Sequence, residues 1–103
     1  MTRDEVSVPY DSERCSLQGA LQQGARIVWT THANTRSKER RITKLIAERV
    51  LRRGYVDDVE TSPDGREKWR VVGSDNDGRR IGIVVSLHGD VCIIYVVTVI
   101  DLG

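Results

Sequence analysis

The run "VCIIYVVTVI" at residues 91–100 sets the tightest limit on what this chain can fold into. It is rich in β-branched residues and apolar at both odd and even positions. Successive side chains of a strand point to opposite faces, so such a strand is expected in the interior of a sheet, covered on both sides. It is too short to cross a membrane as a helix, and no run of about 18 apolar residues occurs elsewhere. Turn-forming sequences precede it: Ser62-Pro63-Asp64-Gly65, Asp75-Asn76-Asp77-Gly78 and His88-Gly89-Asp90. They divide the second half of the chain into strands at 55–61, 66–74, 79–87 and 91–100. Residues 79–87 alternate, with Ile81, Ile83, Val85 and Leu87 on one face. An antiparallel meander is the simplest arrangement.

The first half reads differently. Residues 11–24 predict a short helix capped by Asp11 or Ser12, with Leu17, Ala20 and Leu21 inward and Gly24 just past its end. Residues 26–31 predict a short strand, and "HANTRSKERR" a second helix capped by Thr30 or Thr31. Residues 42–54 give the strongest helical pattern: Thr43 as N-cap, Ile42 and Ala47 at staple positions, and Gly54 at the end. Its expected apolar stripe is Leu45, Ile46, Val50 and Leu51, with Glu48 and Arg52 as an i,i+4 pair. The expectation is one α+β domain over residues 1–103. Two or three N-terminal helices pack on a curved antiparallel sheet of four to five strands, after a loose segment at 1–10.

Charge is polarised along the chain. Residues 26–53 hold nine Lys/Arg and two acids, a net of 9 − 2 = +7, and the other residues hold seven Lys/Arg and thirteen acids, a net of −6. Such a block attracts a polyanion, or folds against the acidic remainder and neutralises itself. The N-terminus lacks a secretory h-region, and Cys15 and Cys92 read as reduced, mostly buried thiols of a cytoplasmic protein. Two Cys and two His have no zinc-ligand spacing, and no Gly-rich phosphate loop occurs, so neither metal nor cofactor is expected. Aromatic residues, at 5%, are too sparse for a base-stacking platform.

Chemistry-bearing residues cluster in "THANTRSKERRIT", residues 31–43. His32, Arg36 and Arg40 recur at four-residue steps and share one helical stripe, drifting by about 40° per step. A histidine moves a proton near neutral pH, and arginines grip phosphate and steady developing charge. These three are the catalytic candidates for metal-independent RNA cleavage. Lys38 and Arg41, with Lys68 and Arg70 of "REKWR", are the candidates for binding the substrate. Arg66 shares the face of Lys68 and Arg70, and Trp69 faces the other way. Ser86, His88 and Thr98 are weaker candidates. The competing reading is structural: a histidine capping a helix and arginines paired with Glu39 or the acidic hairpins.

"HANTRSKERRIT" resembles the signature of a bacterial family, domain of unknown function family 4258. Its pattern is His-Ala, an Arg four residues on, another eight on, then Ile and Ser/Thr opening the next helix. Here these are His32, Ala33, Arg36, Arg40, Ile42 and Thr43. Pro63-Asp64-Gly65, Asp77-Gly78-Arg79 and Thr98-Val99 continue the match, over about residues 27–100. The layout is similar to that of RelE-like toxins and other small metal-independent ribonucleases. The resemblance implies a toxin-like endoribonuclease, with RNA as substrate and an antitoxin protein as partner. The alternative is a non-enzymatic module binding protein or nucleic acid.

Overall fold

The computed structural model describes residues 10–87 and 93–103. In chain order they form α1 (Asp11–Gln22), β1 (Arg26–Trp29), α2 (Thr31–Glu39), α3 (Lys44–Arg53), β2 (Tyr55–Thr61), β3 (Glu67–Ser74), β4 (Arg80–Leu87) and β5 (Ile93–Asp101). This is an α+β fold. The turn expected at His88-Gly89-Asp90, together with His88 and Cys92, lies outside the described residues.

The sheet has the order β1-β5-β4-β3-β2. β2 to β5 form the expected antiparallel meander. β1 instead runs parallel to β5, with Arg26 opposite Ile93 and Trp29 opposite Val96. The sheet is therefore mixed rather than wholly antiparallel. A parallel partner must be reached by a long crossover, so this pairing leaves no local turn signal in the sequence. Two register shifts interrupt the ladders. Val97 is the extra residue in β5, between Val96 opposite Val85 and Thr98 opposite Val84. Asp57 is the extra residue in β2, between Val56 opposite Val71 and Asp58 opposite Arg70.

One core joins Leu17 and Leu21 of α1, Ala33 of α2, and Ala47, Val50 and Leu51 of α3 to the sheet. The sheet contributes Val71, Ile81, Ile83, Val85, Ile94, Val96 and Val99. Full burial of each larger aliphatic chain contributes about 1.5–3 kcal/mol. In α3 the Thr43 hydroxyl accepts from the Ile46 N–H at 3.2 Å, as expected of an N-cap. Leu45 departs from the expected stripe and is 73% exposed, because Ala47 rather than Leu45 turns onto the sheet. No Glu48–Arg52 ion pair forms among the described residues. Gly54 ends α3, where a Cβ would collide with the carbonyl oxygens of Val72 and Val50. The α1 cap is Tyr10, in the left-handed region at φ 61°, with no side-chain cap from Asp11 or Ser12. Cys15 is exposed, against the expectation of burial. β5 is interior, between β1 and β4, but only its Ile94, Val96 and Val99 face is sealed. Tyr95 and Val97 on the opposite face are half-buried and border an open groove.

Candidate functional site

α2 is fastened to β5 at both of its ends. Beyond Trp29 the edge of β5 has no strand beside it, so its carbonyls need other donors. Thr30 supplies them at the N-terminal end. Its N–H reaches the Val96 oxygen at 3.2 Å, and its hydroxyl reaches the oxygens of Val96 at 3.0 Å and the bulged Val97 at 3.2 Å. The same hydroxyl accepts from the Ala33 N–H at 3.1 Å, which caps α2. At the C-terminal end Arg40 Nη1 donates to the Val99 oxygen at 2.7 Å.

α2 stops in a tight reversal. Ile42 N–H returns to Ser37 O at 3.0 Å and Arg41 N–H to Lys38 O at 3.4 Å, with Arg41 in the left-handed region at φ 55°. Arg79 grips this end from the next turn: Nη1 donates to Arg40 O and Nη2 to Arg41 O, each at 2.9 Å. Its Nε meets Asp75 Oδ2 at 3.1 Å, and Nη1 lies 3.6 Å from Asp101 Oδ2. Asp75 Oδ1 accepts from the N–H groups of Asp77 and Arg79, each at 2.9 Å. Burial pushes the Asp75 carboxyl up, but these two N–H groups and the Arg79 guanidinium outweigh it and hold it below its ordinary value.

The catalytic candidates thus have different surroundings. His32, in the first turn of α2, is exposed and forms no hydrogen bond or ion pair among the described residues. Arg36 pairs with Glu39 at 2.7 Å on the surface. Arg40 is tied to β5. Of the binding candidates, Lys38 and Arg41 lie at the C-terminal end of α2, with side chains exposed. Lys38 is about 12 Å along the helix from Thr30, at 1.5 Å per residue, and Arg41 lies just past the helix end.

Lys68 lies at the opposite end of α2, where a groove of about 450 Å³ runs beside the N-cap. Thr30, Arg66, Lys68, Ser86 and Tyr95 line it. The fold therefore brings the start of α2, two residues before His32, to the basic strand read from "REKWR". Trp69 faces the core, as expected, which turns Lys68 and Arg70 to the other side. Lys68 has no ion pair among the described residues, whereas Arg70 is held by Asp57 through Nε–Oδ1 at 2.7 Å and Nη2–Oδ2 at 3.0 Å. That carboxylate raises the Arg70 pKa above its ordinary value. Asp64, also lining the groove, is held below its ordinary value by the Ser62 hydroxyl and the Arg66 N–H. Arg66 itself lies 3.6 Å from Asp64.

Among the described residues the basic block forms no ion pair with an acid of the rest of the chain. Of its nine cations only Arg36 forms an ion pair among the described residues, and its partner Glu39 belongs to the same block. Acids elsewhere pair with Arg66, Arg70 and Arg79 instead. Lys44 stacks over Trp29 at 5.5 Å. Among the described residues no three His, Cys, Asp or Glu gather as a metal site, and no helix is long and apolar enough to cross a membrane.

Sequence reading missed two participants. Tyr95 looked like one more buried position of an all-apolar strand, and Thr30 like a cap alone. Arg79 carried a signal, Asp77-Gly78-Arg79, whose structural meaning appears only when the turn meets α2. Comparison with known proteins gives no match among curated proteins and none among solved structures. A family model does match residues 29–101, from the end of β1 to the end of β5, and the chain belongs to that family, the domain of unknown function DUF4258.

Proposed function

We propose that this protein is a toxin-like endoribonuclease that binds RNA through its basic block and the groove beside α2. The observation that carries the reading is the net charge of residues 26–53, which no acid outside the block pairs with among the described residues and which an RNA backbone would neutralise. Exposed His32, two residues along α2 from the Thr30 that lines the groove, would take the proton from a ribose 2′-hydroxyl. The 2′-oxygen then attacks the adjacent phosphorus and the bond to the 5′-oxygen breaks, that oxygen taking a proton from solvent water while protonated His32 returns its own to solvent. The products are a 2′,3′-cyclic phosphate and a free 5′-hydroxyl, so the step needs no metal. Lys68 would hold the phosphate, joined by Arg36 once RNA competes with Glu39. Lys38 and Arg41 would contact the strand farther along, with Arg70 close to Lys68. An antitoxin is the expected partner, covering the same basic surface.

One observation favours a second reading, a non-enzymatic nucleic-acid or protein-binding module. Arg40 and Arg36 both have partners within the fold, which leaves His32 as the one uncommitted member of the stripe. The test is an RNA cleavage assay without divalent metal, with and without ribosomes, comparing the parent with His32→Ala at matched circular dichroism. Cyclic-phosphate ends from the parent alone support the enzyme. Salt-sensitive RNA binding with no product from either supports the module.

A further inference from the structure

A second concave site lies on the helix side of the sheet, away from the groove. Its volume is about 260 Å³, and it sits between the C-terminal half of α3 and the turn joining β3 to β4. Arg49 and Arg53 enter it from one face of α3, four residues apart. Ser74, the last residue of β3, and Asn76 of the turn line its other side, and Gly54 and Gly73 leave its wall without side chains. The Gly73 site is close-packed, since a Cβ there would lie 3.2 Å from Val50 Cγ1.

Like charges at i,i+4 repel each other, and neither arginine has a carboxylate within ion-pair distance among the described residues. Arg49 donates to the Asn76 side-chain oxygen, a neutral acceptor that leaves its charge unbalanced. Asp75 also lines the site, yet both of its oxygens are engaged by Arg79 and by the turn's own N–H groups. The site is therefore cationic, concave and edged by hydroxyl and amide donors. That combination suits a tetrahedral oxyanion, which guanidinium groups bind by paired hydrogen bonds.

We propose that Arg49, Arg53, Ser74 and Asn76 form a phosphate-binding site separate from the groove beside α2. The ligand is a phosphate group, from a nucleic-acid backbone or from a free phosphate. The site does not depend on the ribonuclease reading, since it needs neither His32 nor any cleavage. The test is amide and arginine-side-chain NMR of the full chain, titrated separately with inorganic phosphate and with a single-stranded RNA oligomer. The comparison set is the parent, Arg49→Gln, Arg53→Gln and, as a control of equal charge, Arg80→Gln, at the exposed start of β4 and outside the basic block.

Saturable shifts at Ser74, Asn76 and the Arg49 and Arg53 side chains are expected, with affinity falling about threefold to tenfold in Arg49→Gln and Arg53→Gln and unchanged in Arg80→Gln. With RNA, each of these two substitutions lowers the log–log salt slope by about 0.7, the value for one single-strand phosphate contact. Shifts with RNA alone assign the site to a backbone phosphodiester. Shifts with inorganic phosphate alone assign it to a free phosphate. An equal loss in Arg80→Gln, or no shift at these residues with either probe, overturns the proposal.

Discussion

Arg40 Nη1 lies 2.7 Å from the carbonyl oxygen of Val99 and closes the stretch of β5 edge that β1 is too short to cover. An arginine read from the sequence as one of a catalytic series is thus also a fastening between helix and sheet. Replacing it with alanine strands a half-buried carbonyl. Arg40→Ala should cost about 1–3 kcal/mol in a urea titration, a range set by leaving such an acceptor unpaired. A loss of RNA cleavage in that variant has to be read against its stability. Full activity in a destabilised Arg40→Ala would remove Arg40 from the chemistry.

His32 makes the opposite prediction. It is exposed and makes no hydrogen bond or ion pair among the described residues, so His32→Ala should leave stability within about 0.5 kcal/mol of the parent. Cleavage should fall about 10²–10⁴-fold, the usual contribution of a positioned acid or base. A drop in Tm with cleavage intact would make this histidine structural.

Arg41 occupies a left-handed backbone position, φ 55°, where a side chain is strained and glycine is not. Arg41→Gly should therefore raise stability, by about 0.5–1 kcal/mol, while weakening RNA binding if its guanidinium contacts phosphate. Chemical denaturation and filter binding on the same sample measure both. Greater stability with unchanged affinity would place Arg41 outside the binding surface.

The Asp75–Arg79 clamp gives a pH dependence with a definite sign. The folded Asp75 pKa is lowered, so its contribution is fully present above the unfolded carboxylate value, about 3.9, and is lost as pH falls through the lower folded value. Asp75→Asn should lower Tm at pH 7, and the gap from the parent should shrink below about pH 4 as the parent's own carboxylate protonates. Calorimetry at pH 7, 4 and 3 checks this. A gap that stays constant would mean that Asp75 acts through its neutral hydrogen bonds alone.

Thr30 joins cap and sheet in one hydroxyl. Thr30→Val should cost about 1–3 kcal/mol through the lost cap and the lost hydroxyl donor to Val97 O, while Val96 O keeps the Thr30 N–H. Thr30→Ser should restore most of it, as urea titrations of the pair would show. Equal stability of the two variants would mean that the hydroxyl has no net role.

Much of this architecture is written locally. The Thr43 cap, the Gly54 stop, the turns at 62–65 and 75–78 and the alternation of β4 are short-range signals, each tied to a backbone geometry that neighbouring residues enforce. The sequence also settled where the positive charge lies, because a count along the chain needs no coordinates. Tertiary structure decided what that charge can reach. The pairing of β1 with β5, the hydrogen bond of Thr30 to Val97, the capture of Arg40 by Val99 and of the α2 end by Arg79 join residues between 38 and 67 positions apart. No local rule fixes such partners, since a carbonyl left open at a sheet edge accepts from whichever donor the packing brings near. For the same reason the stripe of His32, Arg36 and Arg40 was legible as a spacing. Only the folded chain separates its exposed histidine from the arginine that fastens the helix.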